Sequence, residues 1–232
     1  MKKIGLAFCV VVGSFGAAGC DTSSSGAEGV LFFTPTECGR VGCNFNDSVG
    51  VGGALLVHIS PRDSTVSTVG LDLESSDESI FTIQAVPDVG GEPTWEIIGQ
   101  NDGVTSLTAF DTATGDDVDF IAVVVQELDA LSSRNVLGDA VGPDLNDQDF
   151  DEVWTINADQ RVSFSIDPIV GNTIAMGRYE YTATIDAAID DGLVDSDSLS
   201  DGHLDFSVPV GEHAASFVDN YGHTIDLLFV AQ

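Results

Sequence analysis

One pattern occurs twice in this chain, at a fixed interval of 107 residues. Leu55-x-Val57-x-Ile59-x-Pro61 returns as Val162-x-Phe164-x-Ile166-x-Pro168, and Gly70 returns as Gly177. Gly115-x-x-Val118-Asp119-Phe120-Ile121-Ala122-Val123 returns as Gly222-x-x-Ile225-Asp226-Leu227-Leu228-Phe229-Val230. The interval is the length of a small domain, well above the roughly 20–50 residues of a solenoid unit. It predicts two like modules in tandem, over residues 30–127 and 128–232.

Short segments with period-two alternation, bounded by Gly, Asp, Asn, Ser and Pro, predict strands throughout and no helix. Leu55, Val57 and Ile59, like Val162, Phe164 and Ile166, are expected in a core, with His58, Ser60, Ser163 and Ser165 on the opposite face. Pro61 and Pro168 are expected to end their strands, because proline has no N–H for the ladder. Thr114-Gly115 and Tyr221-Gly222 read as hairpin turns. In the second module strands are expected only from Val153 onward. About seven short strands per hundred residues predicts antiparallel β-sandwiches.

The N-terminus reads as an export signal over residues 1–19: Lys2 and Lys3, an apolar stretch from Ile4 to Ala18, then Ala17-Ala18-Gly19-Cys20. That string resembles the lipobox of bacterial lipoproteins, which implies cleavage before Cys20 and its lipidation. Ordinary signal cleavage after Ala18 is the competing reading. Residues 20–29, rich in Ser and Gly, are expected to be a flexible tether. The expected location is the bacterial cell envelope, held by a lipid anchor, with inner and outer membrane both open. Cys38 and Cys43 flank Gly39-Arg40-Val41-Gly42 and are expected to form a disulfide in an oxidising compartment, the rival being a metal site.

Charge narrows the partners. The chain carries a formal net charge of −31 with four histidines and seven Lys plus Arg. A polyanion of this kind repels nucleic acid and anionic lipid headgroups, so no nucleic-acid partner is expected. Exposed acidic side chains also serve the solubility of an exported protein.

Within each module, a Gly, a strand of small and β-branched residues, a Gly turn and a final apolar strand follow one another. These are Gly103 to Asp111, Gly115 and the strand to Val125, echoed by Gly211 to Asp219, Gly222 and the strand to Ala231. This arrangement resembles the bacterial immunoglobulin-like (BIG-type) domains of exported proteins, with Leu128 to Asp159 matching weakly. The resemblance implies two tandem immunoglobulin-like sandwiches in a non-catalytic binding, adhesion or spacer role, with an unidentified protein or glycan ligand. It supplies no catalytic residues.

The interval of 107 also aligns two unlike loops. Glu37 to Phe45 holds the cysteine pair, and Asp144 to Glu152 gathers carboxylates instead. Asp144, Asn146, Asp147, Asp149, Asp151 and Glu152 form a candidate calcium site, since hard cations take six to eight oxygen ligands. A solvated acidic loop is the competing reading, and no other cofactor is expected. A second acidic run, Asp195 to Asp205, places Leu199 where a calcium loop needs an oxygen. His203, His213 and His223 are expected at the surface, and Trp95 and Trp154 in the core. No Gly-x-Ser-x-Gly, His-Glu-x-x-His or phosphate-loop motif occurs. The chain is therefore not expected to be an enzyme, the alternative being an exported glycan hydrolase built from loop carboxylates.

Overall fold

The computed structural model describes residues 23–36, 43–89, 92–142 and 151–232. In the first module the strands are β1 (Ser24–Ser25), β2 (Leu31–Thr36), β3 (Val49–Gly50), β4 (Ala54–Pro61), β5 (Leu71–Ser75), β6 (Phe81–Val89), β7 (Glu92–Gly99), β8 (Gly103–Asp111) and β9 (Asp117–Gln126). They form two sheets, ordered β1-β2-β4-β7-β6 and β3-β9-β8-β5. With β2, β4, β5, β6, β7, β8 and β9 taken as strands A to G, one sheet is A-B-E-D and the other C-F-G. That is the immunoglobulin arrangement. β3 is a short addition running parallel to β9.

The second module repeats the plan with β10 (Ala130–Leu137), β11 (Ala140–Val141), β12 (Asp151–Ile156), β13 (Val162–Val170), β14 (Thr173–Ile174), β15 (Tyr181–Ile185), β16 (His203–Phe206), β17 (Gly211–Asp219) and β18 (Thr224–Ala231). β13 pairs with β10, β14 and β16, while the facing sheet runs β11-β12-β18-β17-β15. Strand D is absent among the described residues. Its place in the chain is taken by α1 (Ala187–Gly192) and a 3₁₀ turn at Asp197–Asp201. The Asp186 carboxylate caps α1 by accepting from the Ile189 N–H at 2.9 Å, and Ile189 seals the core beneath it.

The two hydrophobic cores follow the repeated strands. Leu55, Val57 and Ile59 pack with Phe33, Phe81 and Trp95, and Val162, Phe164 and Ile166 pack with Trp154, Phe206 and Phe229. Trp154, Phe206 and Phe229 surround Phe164, with ring centroids 4.9–6.2 Å away, distances at which edge and tilted aromatic contacts are favourable.

Several expectations need correction. Ser163 and Ser165 are buried rather than outward in solvent. Their face of β13 lies under a polar cluster in which Arg134 donates to Asp167 at 2.8 and 3.3 Å and Ser165 Oγ donates to Asp167 at 3.1 Å. Pro61 does end its strand, but Pro168 lies inside β13. Its carbonyl accepts from the Ala175 N–H, on the side of β13 between the short partners β14 and β16, so no ladder bond is forfeited there. β10 precedes the acidic loop, in a stretch expected to be strand-free. Residues 24–29, expected as free tether, are folded: β1 pairs with β2, and a turn at Gly26–Gly29 leads into it.

The modules meet end to end. Met176 N–H donates to the Ser48 carbonyl and Gly50 N–H to the Met176 carbonyl, while Ala54 and Arg178 exchange both of their main-chain bonds, all at 2.7–3.0 Å.

Candidate functional site

In the chain, Glu37 to Phe45 falls between β2 and β3, which belong to different sheets, whereas Asp144 to Glu152 runs from beyond β11 into β12, neighbours in one sheet. Cys20, Cys38, Asp144, Asn146, Asp147 and Asp149 lie outside the described residues. Cys43 is buried against the first core. Asp151 opens β12, paired with Asp226. Among the described residues no cluster of three or more His, Cys, Asp or Glu is placed to hold a metal ion.

Glu152 points into the protein. Its carboxylate accepts the Ser133 N–H at 2.9 and 3.1 Å, the Ser132 hydroxyl at 3.1 Å and the Ser133 hydroxyl, whose oxygen in turn accepts the Trp154 indole N–H at 2.8 Å. Burial raises its pKa above the usual carboxylate range, and the hydrogen bonds from Ser133 and Ser132 only partly offset that. The group fastens β12 to β10 across the flank of the sandwich.

The histidines are not uniformly superficial. His203 is exposed, but His213 is buried, with Nε2 2.9 Å from the Pro209 carbonyl and Nδ1 3.4 Å from Asp186. His223 Nδ1 lies 2.7 Å from the buried Asp219 carboxylate, which also accepts the Tyr221 and His223 N–H groups at 2.9 Å. These bonds make Asp219 the clasp of the β17–β18 hairpin.

An open groove of about 660 Å³ runs between the N-terminal strand and the cysteine-bearing loop, lined by Ser23–Ser25, Asn44–Asn46, Ile121 and Ala122. Part of its polar lining is already engaged, since Ser24 Oγ accepts from the Phe45 N–H and Asn44 Oδ1 from the Asn46 N–H.

The feature missed in the sequence is a pair of apolar sheet faces. On the outer face of the first module's C-F-G sheet, Val104 stands opposite Val124, Ser106 opposite Ala122 and Thr108 opposite Phe120. In the second, Val153, Leu228 and Ala214 lie in one row across β12, β18 and β17, with Val141 beside Thr155 in the next. Val104 is 65% exposed, Phe120 38%, Val141 75% and Val153 46%. Carboxylates bracket these rows, from Glu74 and Asp117 in the first module and Glu212 and Asp226 in the second. The signal was present: the runs Phe120 to Val125 and Leu227 to Ala231 are apolar at both parities, as in strands covered on both faces.

No protein-family model matches the chain, and no curated protein matches it. Among solved structures it is similar to domains 5–6 of the surface-layer protein SbsC, at 14% identity and TM-score 0.30, over 80% of this chain and 93% of that one. It is similar to the Yersinia pseudotuberculosis adhesin InvE at 14% identity and TM-score 0.29, over 90% and 62%. A third is SGBP-B of the Bacteroides ovatus mixed-linkage glucan utilization locus, in complex with mixed-linkage heptasaccharide, at 13% identity and TM-score 0.33, over 81% and 44%. The chain spans less than two thirds of the last two. The immunoglobulin-like assignment rests on the strand pairing itself.

Proposed function

We propose that this protein is an exported, lipid-anchored module of the bacterial cell envelope that binds a protein or glycan partner without catalysis. The observation that carries the reading is the pair of exposed apolar sheet faces in a chain of net charge −31. A contiguous uncharged face rimmed by carboxylates is a costly surface to leave in water, and such patches mark interaction sites. Cys20 supplies the anchor after removal of residues 1–19. Cys38 and Cys43 close their loop as a disulfide, as two cysteines this close in sequence do in the oxidising compartment that export implies. Calcium at Asp144, Asn146, Asp147, Asp149 and Asp151 is a further proposal, the sixth candidate, Glu152, being set apart by its bonds to Ser132 and Ser133. It predicts a larger rise in melting temperature with CaCl₂ than with a salt of matched ionic strength.

The test uses the exported Cys20→Ser protein, which a fatty-acid probe should fail to label while labelling the wild type. That soluble form should co-sediment with isolated cell envelopes. Adding Phe120→Asp and Leu228→Asp should abolish co-sedimentation while leaving the circular dichroism spectrum unchanged. Equal sedimentation of the two forms would remove the faces as the binding surface.

A further inference from the structure

The turn between β3 and β4 and the turn between β12 and β13 are the same turn, 107 residues apart. Gly53 N–H donates to the Gly50 carbonyl, and Gln160 N–H to the Asn157 carbonyl. Val51 N–H reaches the carbonyl of Gln126, the end of β9, and Ala158 N–H that of Gln232, the residue after β18. Gly52 has φ +79° and Asp159 has φ +57°, the one non-glycine residue at positive φ among those described. Asp tolerates this left-handed conformation better than most residues, so the backbone alone does not demand glycine at Gly52. Yet the first turn reads Gly50-Val-Gly52-Gly53, and the second Asn157-Ala-Asp159-Gln160.

The difference is explained by what lies on each turn. A Cβ on Gly52 would collide with the ring of Tyr221, and one on Gly50 with Tyr179 Oη. A Cβ on Gly53 would fall 2.7 Å from that same hydroxyl, and one on Gly177 would fall 2.6 Å from the Gly53 Cα. Met176, although it belongs to the second module's chain, is fully buried in the first module's core beside Val49 and Val125. Tyr179, three residues on, packs in the second core. One short segment therefore contributes to both cores.

We propose that this contact is a lock: the first module's turn is stripped of side chains so that Tyr179 and Tyr221 can seat on it and Met176 can complete the first core. The two sandwiches then unfold as one cooperative unit and hold a fixed mutual orientation. Main-chain bonds and a shared core residue leave no flexible hinge at this boundary, unlike the default expectation for domains joined by a linker.

Calorimetry of the whole chain should show a single transition, with calorimetric and van't Hoff enthalpies equal. Gly52→Asn keeps a residue that tolerates the left-handed turn but places a side chain under Tyr221, and should split the melt in two. Adding Tyr221→Ala should restore a single transition, and Asp159→Asn at the undocked turn should leave it single throughout. A two-step wild-type melt, an unsplit Gly52→Asn melt, or a split that Tyr221→Ala does not reverse would each overturn the lock. Met176→Ala gives an independent check: amide protection should fall in β8 and β9 of the first module, and a fall confined to β17 and β18 would count against it.

Discussion

Asp119 and Asp226 stand at the same place in the repeated motif, and the fold uses them in opposite ways. Asp119 is 1% exposed, and its carboxylate accepts the N–H groups of Glu28, Val30 and Leu31 at 2.8 Å and that of Phe120 at 2.9 Å. Asp226 faces solvent. The whole hairpin is turned over: Ala109, paired with Asp119, is buried, whereas Ser216, paired with Asp226, is only half-buried. In the first module Phe110 pairs with Asp117 and Ala109 with Asp119, leaving Val118 as a bulge, whereas Val218 and Phe217 pair with Thr224 and Ile225 without interruption. Cross-strand partners share a face, so the exchange involves both strands of the hairpin, while the bulge shifts the pairing only at its turn end. The second module fastens its first strand by other means. Glu152 on β12 holds the Ser133 N–H of β10, as Asp119 on β9 holds the Leu31 N–H of β2. Each sandwich thus closes its flank with a buried carboxylate reaching a backbone amide on the opposite sheet, from a different position in the chain.

The strongest way to break this comparison is to delete both carboxylates of the repeated motif in turn. Asp119→Ala strands three amides of the N-terminal segment, and with hydrogen bonds to charged groups worth roughly 1.5–3 kcal/mol each and only partly additive, a loss of about 4 kcal/mol is expected. Hydrogen exchange at Val30 and Leu31 should quicken, because the pairing of β1 with β2 is released with them. Asp226→Ala should change stability by about 0.5 kcal/mol or less, as for other surface sites. Urea denaturation of the two variants checks the contrast, and similar losses would refute it.

That contrast also marks where the sequence stopped being legible. Period-two patterning located β4, β13 and the last strand of each module, because apolar residues there meet a core on at least one face. It could not show the bulge at Val118, since the motif matches equally well on both sides of it, and the N-terminal partners of Asp119 lie 88–91 residues away. β10 was missed for a related reason. Its inward positions include Ser133, a polar residue acceptable in the interior only because Glu152 and Trp154 bond it. α1 spans six residues, too few to display helical periodicity, and its one local signal is the Asp186 cap. The candidate recognition faces were legible in the unbroken apolar runs of the last strands, but register was needed to show that one parity is left uncovered.

Glu152 offers a subtler test, because its pKa is raised chiefly by burial. A carboxyl with a raised pKa holds its proton more tightly in the native state than in the unfolded one. It therefore favours folding below the ordinary carboxylate range, and that contribution is lost as pH rises through the raised value. Glu152→Gln keeps an oxygen for the Ser133 N–H and has nothing to titrate. Melting temperatures of the two proteins should diverge as pH rises from the usual glutamate range toward neutrality, with the Glu152→Gln protein higher by a few degrees at pH 7. Parallel curves would mean that the hydrogen bonds from Ser132 and Ser133 fully offset the cost of burial.

The smallest effect is expected at the Arg178–Glu96 pair, which crosses the joint between the modules. The charges are 3.5 Å apart, and the Arg178 side chain is 47% exposed. Exposed pairs of this kind contribute about 0.2–1 kcal/mol, less as salt rises. Arg178→Gln should therefore cost about 0.5 kcal/mol at low salt. At 1 M salt, where the screening length is about 3 Å, it should cost almost nothing. A double-mutant cycle with Glu96→Gln isolates the pair from the main-chain bonds that Arg178 and Ala54 exchange, which both variants retain. A coupling well above 1 kcal/mol that survives high salt would shift the holding of the joint from packing around Met176 and the tyrosines to charge, and would require the glycine turn to be explained anew.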